Sequence, residues 1–265
     1  MIDVKLPDLS SHWIVVTGGN GHLGSSFVRT LRNLNANVLV VDKQETARQD
    51  ITSDSASLKS EISYYKCDLE IEEERTSLAT FISSSFGRVD SLVNNAAFVG
   101  DSSLSGWSVP FEEQSLNSWR KALEINVTAP FHLSQLLAPL LSESDVGTIV
   151  NISSIYAQYG PDMSVYKGTD MSNPLAYGVS KAGLEQLTRS LATVLSPLIR
   201  VNAISPGGIY RNQDELFVKR YVEKTPLKRM AVEDDLQWAL IYLCTSMSSH
   251  VTGQVLAIDG GYGVW

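Results

Sequence analysis

The chain has 265 residues and a formal charge of −8, from 21 Lys and Arg against 29 Asp and Glu; this counts against a nonspecific nucleic-acid binder, which needs the opposite sign. At 43% hydrophobic and 19% charged residues it is too apolar for a disordered chain and long enough for one generous core. Its apolar runs fall short of the roughly 20 residues that span a bilayer, and residues 1–13 are acidic and polar where a signal peptide is basic and then apolar, so a cytoplasmic protein without membrane contact is expected.

Trp13 to Thr17 is a short β-branched run, followed by glycines and then by Phe27, Val28, Leu31 and Leu34 at helical spacing: strand, tight turn, helix. A second strand runs from Asn37 to Val41 and ends at Asp42; a third runs from Ile62 to Tyr65 and ends at Cys67-Asp68. Residues 43–61 between them read as a loop with a short helix. Glu70 to Phe86 reads as a helix with three acids in its first turns and Gly87 past its end. Val89–Val93 and Gly147–Ile152 are the fourth and fifth strands, joined by one long helix from Asn117 to Leu137. Ile199–Ile204 and Gln254–Ile258 complete seven, with helical segments near 182–195, 214–224 and 233–244. Apolar strands alternating with helices require a parallel sheet covered on both faces. With no linker, residues 1–265 form a single doubly wound α/β domain. Two irregular stretches, 98–116 and 155–176, each follow a strand and are expected to wall a site at the carboxyl edge of the sheet.

Thr17-Gly18-Gly19-Asn20-Gly21-His22-Leu23-Gly24 joins the first strand to its helix. Glycines there allow a tight turn, close approach to a pyrophosphate and close helix packing, and the helix N-terminus favours phosphate. No Gly-Lys-Ser/Thr follows, which disfavours a triphosphate-binding loop. Asp42 stands where a dinucleotide site places a carboxylate on the ribose hydroxyls; it would repel a 2′-phosphate, so NAD is preferred over NADP, with Lys43 softening the preference. Asp68 suits the adenine amino group, or caps the next helix, with Leu69 packing nearby. Asn94-Asn95-Ala96-Ala97 lets the chain pass close to adenosine.

Tyr177 and Lys181 sit one turn apart, just inside a helix that Asn173 would cap and Pro174 would open, so their polar ends share a face. A phenol is a useful base at neutral pH only where a cation favours its phenolate. Ser153 and Ser154 end the fifth strand, where a hydroxyl can donate to a substrate oxygen as charge develops. Asn126 is unusual inside a helix and suits a relay role. Cys67 and Cys244 read as buried reduced thiols. His12, His132 and His250 are isolated and His22 neighbours the phosphate turn, so no catalytic metal is expected.

With the glycine turn, Asn94-Asn-Ala-Ala97, Asn126, Ser153-Ser154, Tyr177-xxx-Lys181, Pro206-Gly207 and Asp259-Gly260-Gly261 in place, the chain resembles the classical short-chain dehydrogenase/reductase superfamily over nearly its whole length. The resemblance implies a Rossmann-like sheet, a homodimer or homotetramer, and an NAD(P)-dependent interconversion of a secondary alcohol and a ketone. Tyr177 would be the general acid/base, Lys181 its tuner and a binder of the nicotinamide ribose, Ser154 the carbonyl stabiliser and Asn126 part of a proton relay. Gly18, Asn20, Gly21, His22, Leu23, Gly24, Asp42, Asp68, Leu69, Asn95, Ala96, Pro206, Gly207 and Ile209 would hold the cofactor with Tyr177 and Lys181. Ser154, Tyr156, Tyr166, Tyr177 and Gly208 would face the substrate.

Three features depart from the usual pattern, the first being His22 in the glycine turn, a place more often glycine in the classical branch. Arg211 stands where a threonine able to bind the nicotinamide amide or phosphate is common, and 23 residues separate Ser154 from Tyr177, roughly ten more than usual. The inserted segment looks like that of a bacterial subgroup associated with flagellin-glycan and nonulosonic-acid sugar biosynthesis, so a polar, sugar-derived substrate is expected. Alternatives are a dehydratase or epimerase that retains NAD, and a nonenzymatic NAD-binding regulator, which should have lost the Tyr-Lys pair. A reductase of carrier-bound acyl chains would need a basic patch that the net charge disfavours.

Overall fold

The computed structural model describes residues 7–52, 60–99 and 104–265; parts of two expected loops, 53–59 and 100–103, lie outside the described residues. Strands β1 (Trp13–Thr17), β2 (Asn37–Asp42), β3 (Ile62–Lys66), β4 (Ser91–Asn94), β5 (Thr148–Ile152), β6 (Arg200–Pro206) and β7 (Val255–Ile258) form one sheet in the order β3-β2-β1-β4-β5-β6-β7. Every pairing is parallel, so the seven expected strands and the doubly wound single domain are as the sequence implied.

Side chains alternate across a strand, and here both faces are apolar because both are covered. Ile14 and Val16 of β1 and Val38 and Val40 of β2 pack with Phe27, Val28 and Leu31 of α1 (His22–Asn33) and with Leu236 and Leu240 of a later helix. Val15, Leu39 and Val41 turn the other way, into a second core with Leu78 and Ile82 of a helix at Glu72–Phe86 and with Leu133, Leu137 and Leu141. A four-residue α2 (Gln49–Thr52) lies in the loop after β2, and Glu72–Phe86 is α3. Gly87 ends α3 in the left-handed conformation, φ 67°, as its position past the helix predicts.

Three expectations need correction. The helix expected from Asn117 to Leu137 is divided into α4 (Leu116–Leu123), a π-helical turn (Glu124–Thr128) and α5 (Ala129–Ser142). α5 continues past Leu137 through Pro139, with Leu141 fully buried in the second core. The capping role offered to Asn173 is not taken: α6 (Leu175–Val194) starts after Pro174 without a side-chain cap, and Asn173 instead donates from Nδ2 to the Tyr166 hydroxyl at 3.2 Å. Asp68 does not cap α3, whose N-cap position is Ile71; it accepts from the Glu70 amide at 3.0 Å and so closes the turn before the helix. α7 (Glu215–Lys224) and α8 (Asp234–Cys244) complete the covering layers.

The sheet order reverses between β1 and β4, so connections leaving those two strands diverge to opposite faces and open a crevice at their carboxyl ends. No helix among the described residues is long and apolar enough to cross a membrane.

Candidate active site

A cavity of about 530 Å³ occupies that crevice and runs from the end of β2 to the start of α6. Its shape begins with the turn after β1. Gly18 has φ 64°, and a side chain there would meet the Ala96 backbone at 2.8 Å; one at Gly24 would lie 2.1 Å from the Gly18 carbonyl oxygen. Only glycine lets these backbones lie so close, and the space they leave open faces the N-terminus of α1. Gly18, Gly21, His22, Leu23 and Gly24 all line the cavity.

The turn is stapled to β4. Asn95 donates from Nδ2 to the Thr17 and Gly18 carbonyls at 2.9 and 3.1 Å, while Thr17 Oγ1 accepts from the Asn95 and Ala96 amides, each at 3.1 Å. Asn95 and Ala96 therefore line the cavity and also fix the shape of its glycine wall. Asn20 does not line it. Its buried side chain is consumed by the β2 loop, donating to Gln44 Oε1 and the Thr46 carbonyl and accepting from the Arg48 amide. Its backbone N–H donates to Asp42 Oδ2 at 3.0 Å, and the Gln44 amide to Oδ1 at 3.3 Å. Asp42 is thus a carboxylate held by two backbone donors at the mouth of the cavity, beside Lys43.

Cys67, Asp68 and Leu69 line the same end. Burial pushes the Cys67 thiol up to about 12, so it remains a neutral packing group rather than a nucleophile. Cys244, also free and buried, is pushed up to about 12 by the same cause. Among the described residues no three His, Cys, Asp or Glu side chains gather to hold a metal.

At the other end, Ser154, Tyr156, Tyr177, Lys181, Pro206, Gly207, Gly208 and Ile209 line the cavity. Lys181 is 2% exposed, and its Nζ donates to the Ile152 carbonyl oxygen at 2.7 Å. Desolvation lowers its pKa to about 8. The Tyr177 phenol is raised above its ordinary value, first by desolvation; interaction with the Ser154 hydroxyl pulls it down, the Tyr166 ring pushes it up, and the Arg211 charge pulls it down. The cation expected to act on Tyr177 was Lys181. The Lys181 ammonium bonds the β5 backbone, and the Arg211 charge also acts on the phenol. Ser154 also accepts from the Tyr156 amide at 3.3 Å, which fixes the turn after β5. Ser153 is spoken for by Glu185, to which its hydroxyl donates at 2.9 Å.

Two expected site residues stand behind the wall. Tyr166 is buried outside the cavity lining, and its hydroxyl pairs with that of Tyr156 at 2.7 Å. Asn126 is completely buried in the π-helical turn. It accepts from the Phe98 amide at 2.7 Å and donates to the Phe98 carbonyl at 3.2 Å and to Ser180 Oγ at 2.9 Å. Ser180 Oγ in turn donates to the Tyr177 carbonyl at 2.9 Å, so Asn126 acts on the backbone that carries the phenol. Arg211, Gln213, Lys121 and Glu70 line the cavity as well, and only Arg211 had a sequence signal, its place after Pro206-Gly207.

The donor set fits a nicotinamide dinucleotide: a ribose-type carboxylate at Asp42, a glycine cradle that added side chains would fill, and a Tyr-Ser-Lys group at the far end of one continuous cavity. Comparison with known proteins agrees. A family model described as enoyl-(acyl carrier protein) reductase matches residues 20–263. The chain is 32% identical over 253 residues to 7alpha-hydroxysteroid dehydrogenase of Escherichia coli (strain K12), covering 93% of this chain and 92% of that protein. A short chain dehydrogenase from Leptospira borgpetersenii with bound NAD+ superposes with a TM-score of 0.83 at 31% identity, over 99% of this chain and 98% of that one. The RhlG/NADP active-site complex of Pseudomonas aeruginosa superposes at 0.83 with 27% identity, over 96% and 97%. The chain belongs to the classical short-chain dehydrogenase/reductase superfamily of NAD(P)-dependent oxidoreductases.

Proposed function

We propose that this enzyme interconverts a secondary alcohol and a ketone on a polar, sugar-like substrate in the cytoplasm, with NAD preferred over NADP and Tyr177 as general acid/base. The observation that carries this reading is the convergence of Tyr177, Ser154 and Lys181 on one end of a cavity whose other end presents the Asp42 carboxylate. The nicotinamide, when bound, supplies the hydride acceptor or donor.

In oxidation the Tyr177 phenolate takes the hydroxyl proton, and in reduction the phenol returns it to the carbonyl oxygen. The Ser154 hydroxyl donates to that oxygen as its charge develops. Lys181 spends one ammonium proton on the Ile152 carbonyl and keeps two for ribose hydroxyls and for favouring the phenolate. Asn126 holds the Tyr177 backbone through Ser180 and provides the start of a proton relay. Asp42 accepts from the adenosine ribose hydroxyls, and repulsion of a 2′-phosphate gives the preference for NAD. The hydroxyl-rich wall, with Tyr156 backed by Tyr166, suits a hydroxylated substrate better than an apolar one. Assembly as a dimer or tetramer belongs to the same reading: Leu256 on edge strand β7 and Phe131 on α5 remain exposed in the single chain, and light scattering reads the mass directly.

The test is an absorbance screen at the nicotinamide band with NAD and NADP against sugars, sugar phosphates, nucleotide sugars and hydroxysteroids, with Tyr177→Phe alongside. Sugar-derived alcohols should turn over with NAD, and the variant should lose about 1000-fold or more in kcat. Undiminished turnover by the variant rejects the general acid/base. Tightly retained NAD without net NADH formation points instead to a dehydratase or epimerase.

A further inference from the structure

The charges lining the cavity are unevenly divided. Its three carboxylates, Asp42, Asp68 and Glu70, follow β2 and β3, and Glu70 is already paired with Lys121 at 2.7 Å. The chemical end contains Lys181 and Arg211 and no lining carboxylate.

Arg211 is held there by a rigid loop. Ile209 forms a parallel bridge with Ala231, and the Tyr210 amide donates to the Ala231 carbonyl at 2.8 Å. Gln213 clasps the loop from both sides of its amide: Nε2 donates to the Ile209 carbonyl and Oε1 accepts from the Arg211 amide, each at 2.7 Å. The guanidinium is anchored through Nε alone, to Glu233 Oε1 at 3.2 Å. Nη1 and Nη2 have no protein acceptor among the described residues and leave a planar fork of N–H donors. Such a fork matches two oxygens of a carboxylate or phosphate.

The pyrophosphate of a dinucleotide is expected at the glycine turn after β1. Arg211 follows β6, and β4 and β5 separate β6 from β1, so the two strands stand three inter-strand steps or roughly 14 Å apart. Arg211 shares the cavity lining with Tyr177, whose phenol its charge pulls down.

We propose that the substrate carries an oxyanion, a carboxylate or phosphate, near its reacting hydroxyl, and that the Nη1/Nη2 fork of Arg211 binds it. This deepens the oxidoreductase reading above and rests on it for the position of the reacting carbon. The fork selects the substrate by its negative group, and the same charge favours the phenolate that oxidation requires.

Matched pairs test this with the full chain and its preferred cofactor: D-gluconate against D-glucitol for a carboxylate, and D-glucose 6-phosphate against D-glucose for a phosphate. The wild type should prefer the anion of at least one pair, and which pair responds identifies the source. In Arg211→Gln the anion-to-neutral ratio of kcat/KM should fall by about 50-fold, mostly through KM, with Arg211→Lys intermediate. Neutral partners preferred throughout, or a ratio that survives Arg211→Gln, overturns the proposal. So does a loss of NADH affinity in Arg211→Gln with the ratio intact, which would give the fork to the cofactor. If neither pair is turned over, calorimetric titration of the enzyme–NADH complex with gluconate and glucose 6-phosphate still decides. Anion binding that disappears in Arg211→Gln upholds the site whatever the wider turnover screen says of the alcohol-oxidising reading, and absence of any anion binding rejects the site itself.

Discussion

The ammonium of Lys181 and the carbonyl oxygen of Ile152 meet at 2.7 Å inside the fold, so the cation that sequence reasoning aimed at a phenol is first of all anchored to a strand. Its pKa falls from 10.5 to about 8 because burial disfavours the charge. Between those values the unfolded chain binds more protons at this site than the folded one, so stability rises with pH there. Below about 8 both states are protonated and the burial penalty, on the order of 3 kcal/mol, is present in full. Urea unfolding of the cofactor-free enzyme at pH 7.5, 9 and 10 should show the wild type gaining stability relative to Lys181→Met. Parallel curves would mean the buried amine does not titrate in this window.

Ser154→Ala should lower kcat by about 100-fold with a smaller change in KM, because its donor is needed most as charge develops on the substrate oxygen. Removing it also removes an interaction that lowers the Tyr177 phenol. The alkaline rise of the oxidation rate should therefore move to higher pH, and Ser154→Thr should restore part of both effects. Stopped-flow rates across pH 6–10 give the answer; an unmoved profile would confine Ser154 to its contact with the Tyr156 amide.

In the proposed function the Asp42 carboxylate carries the preference for NAD. Asp42→Ser should raise the NADP-to-NAD ratio of kcat/KM by about 100-fold, since a like charge beside the 2′-phosphate costs a few kcal/mol. Lys43 lines the same region and favours the change. A ratio that does not respond would transfer cofactor choice to other residues at that end.

Asn126→Ala leaves the Phe98 amide, the Phe98 carbonyl and Ser180 Oγ without their partner in a fully buried site. The expected loss is about 2–4 kcal/mol of unfolding free energy. Because Ser180 bonds the Tyr177 carbonyl, kcat should fall as well. Chemical denaturation separates the two effects: activity lost with stability intact would favour a relay role over a scaffolding one.

Strand identity was legible because a parallel strand buried on both faces reads as an unbroken apolar run, and Val38 to Val41 is one. The glycine turn was legible for a similar reason: Gly18 and Gly24 answer to backbone approaches that no other residue permits. The long helix was misread as continuous because α4, the π-helical turn and α5 share helical periodicity. The break falls at Asn126, whose partners at Phe98 and Ser180 lie 28 and 54 residues away. Asn173 carried a capping signal that a tyrosine in its own loop overrode.

By itself the sequence determined the layers, the strand order's starting turn and the helical spacing that sets Tyr177 beside Lys181, because these are local consequences of periodicity, sterics and one helical turn. The tertiary structure alone decided that the Lys181 ammonium is anchored to β5, which polar groups are already spent on the backbone, and that Arg211 lines the same cavity as Tyr177. Those are matters of distance between segments remote in the chain, and hydrogen bonding and charge act through space.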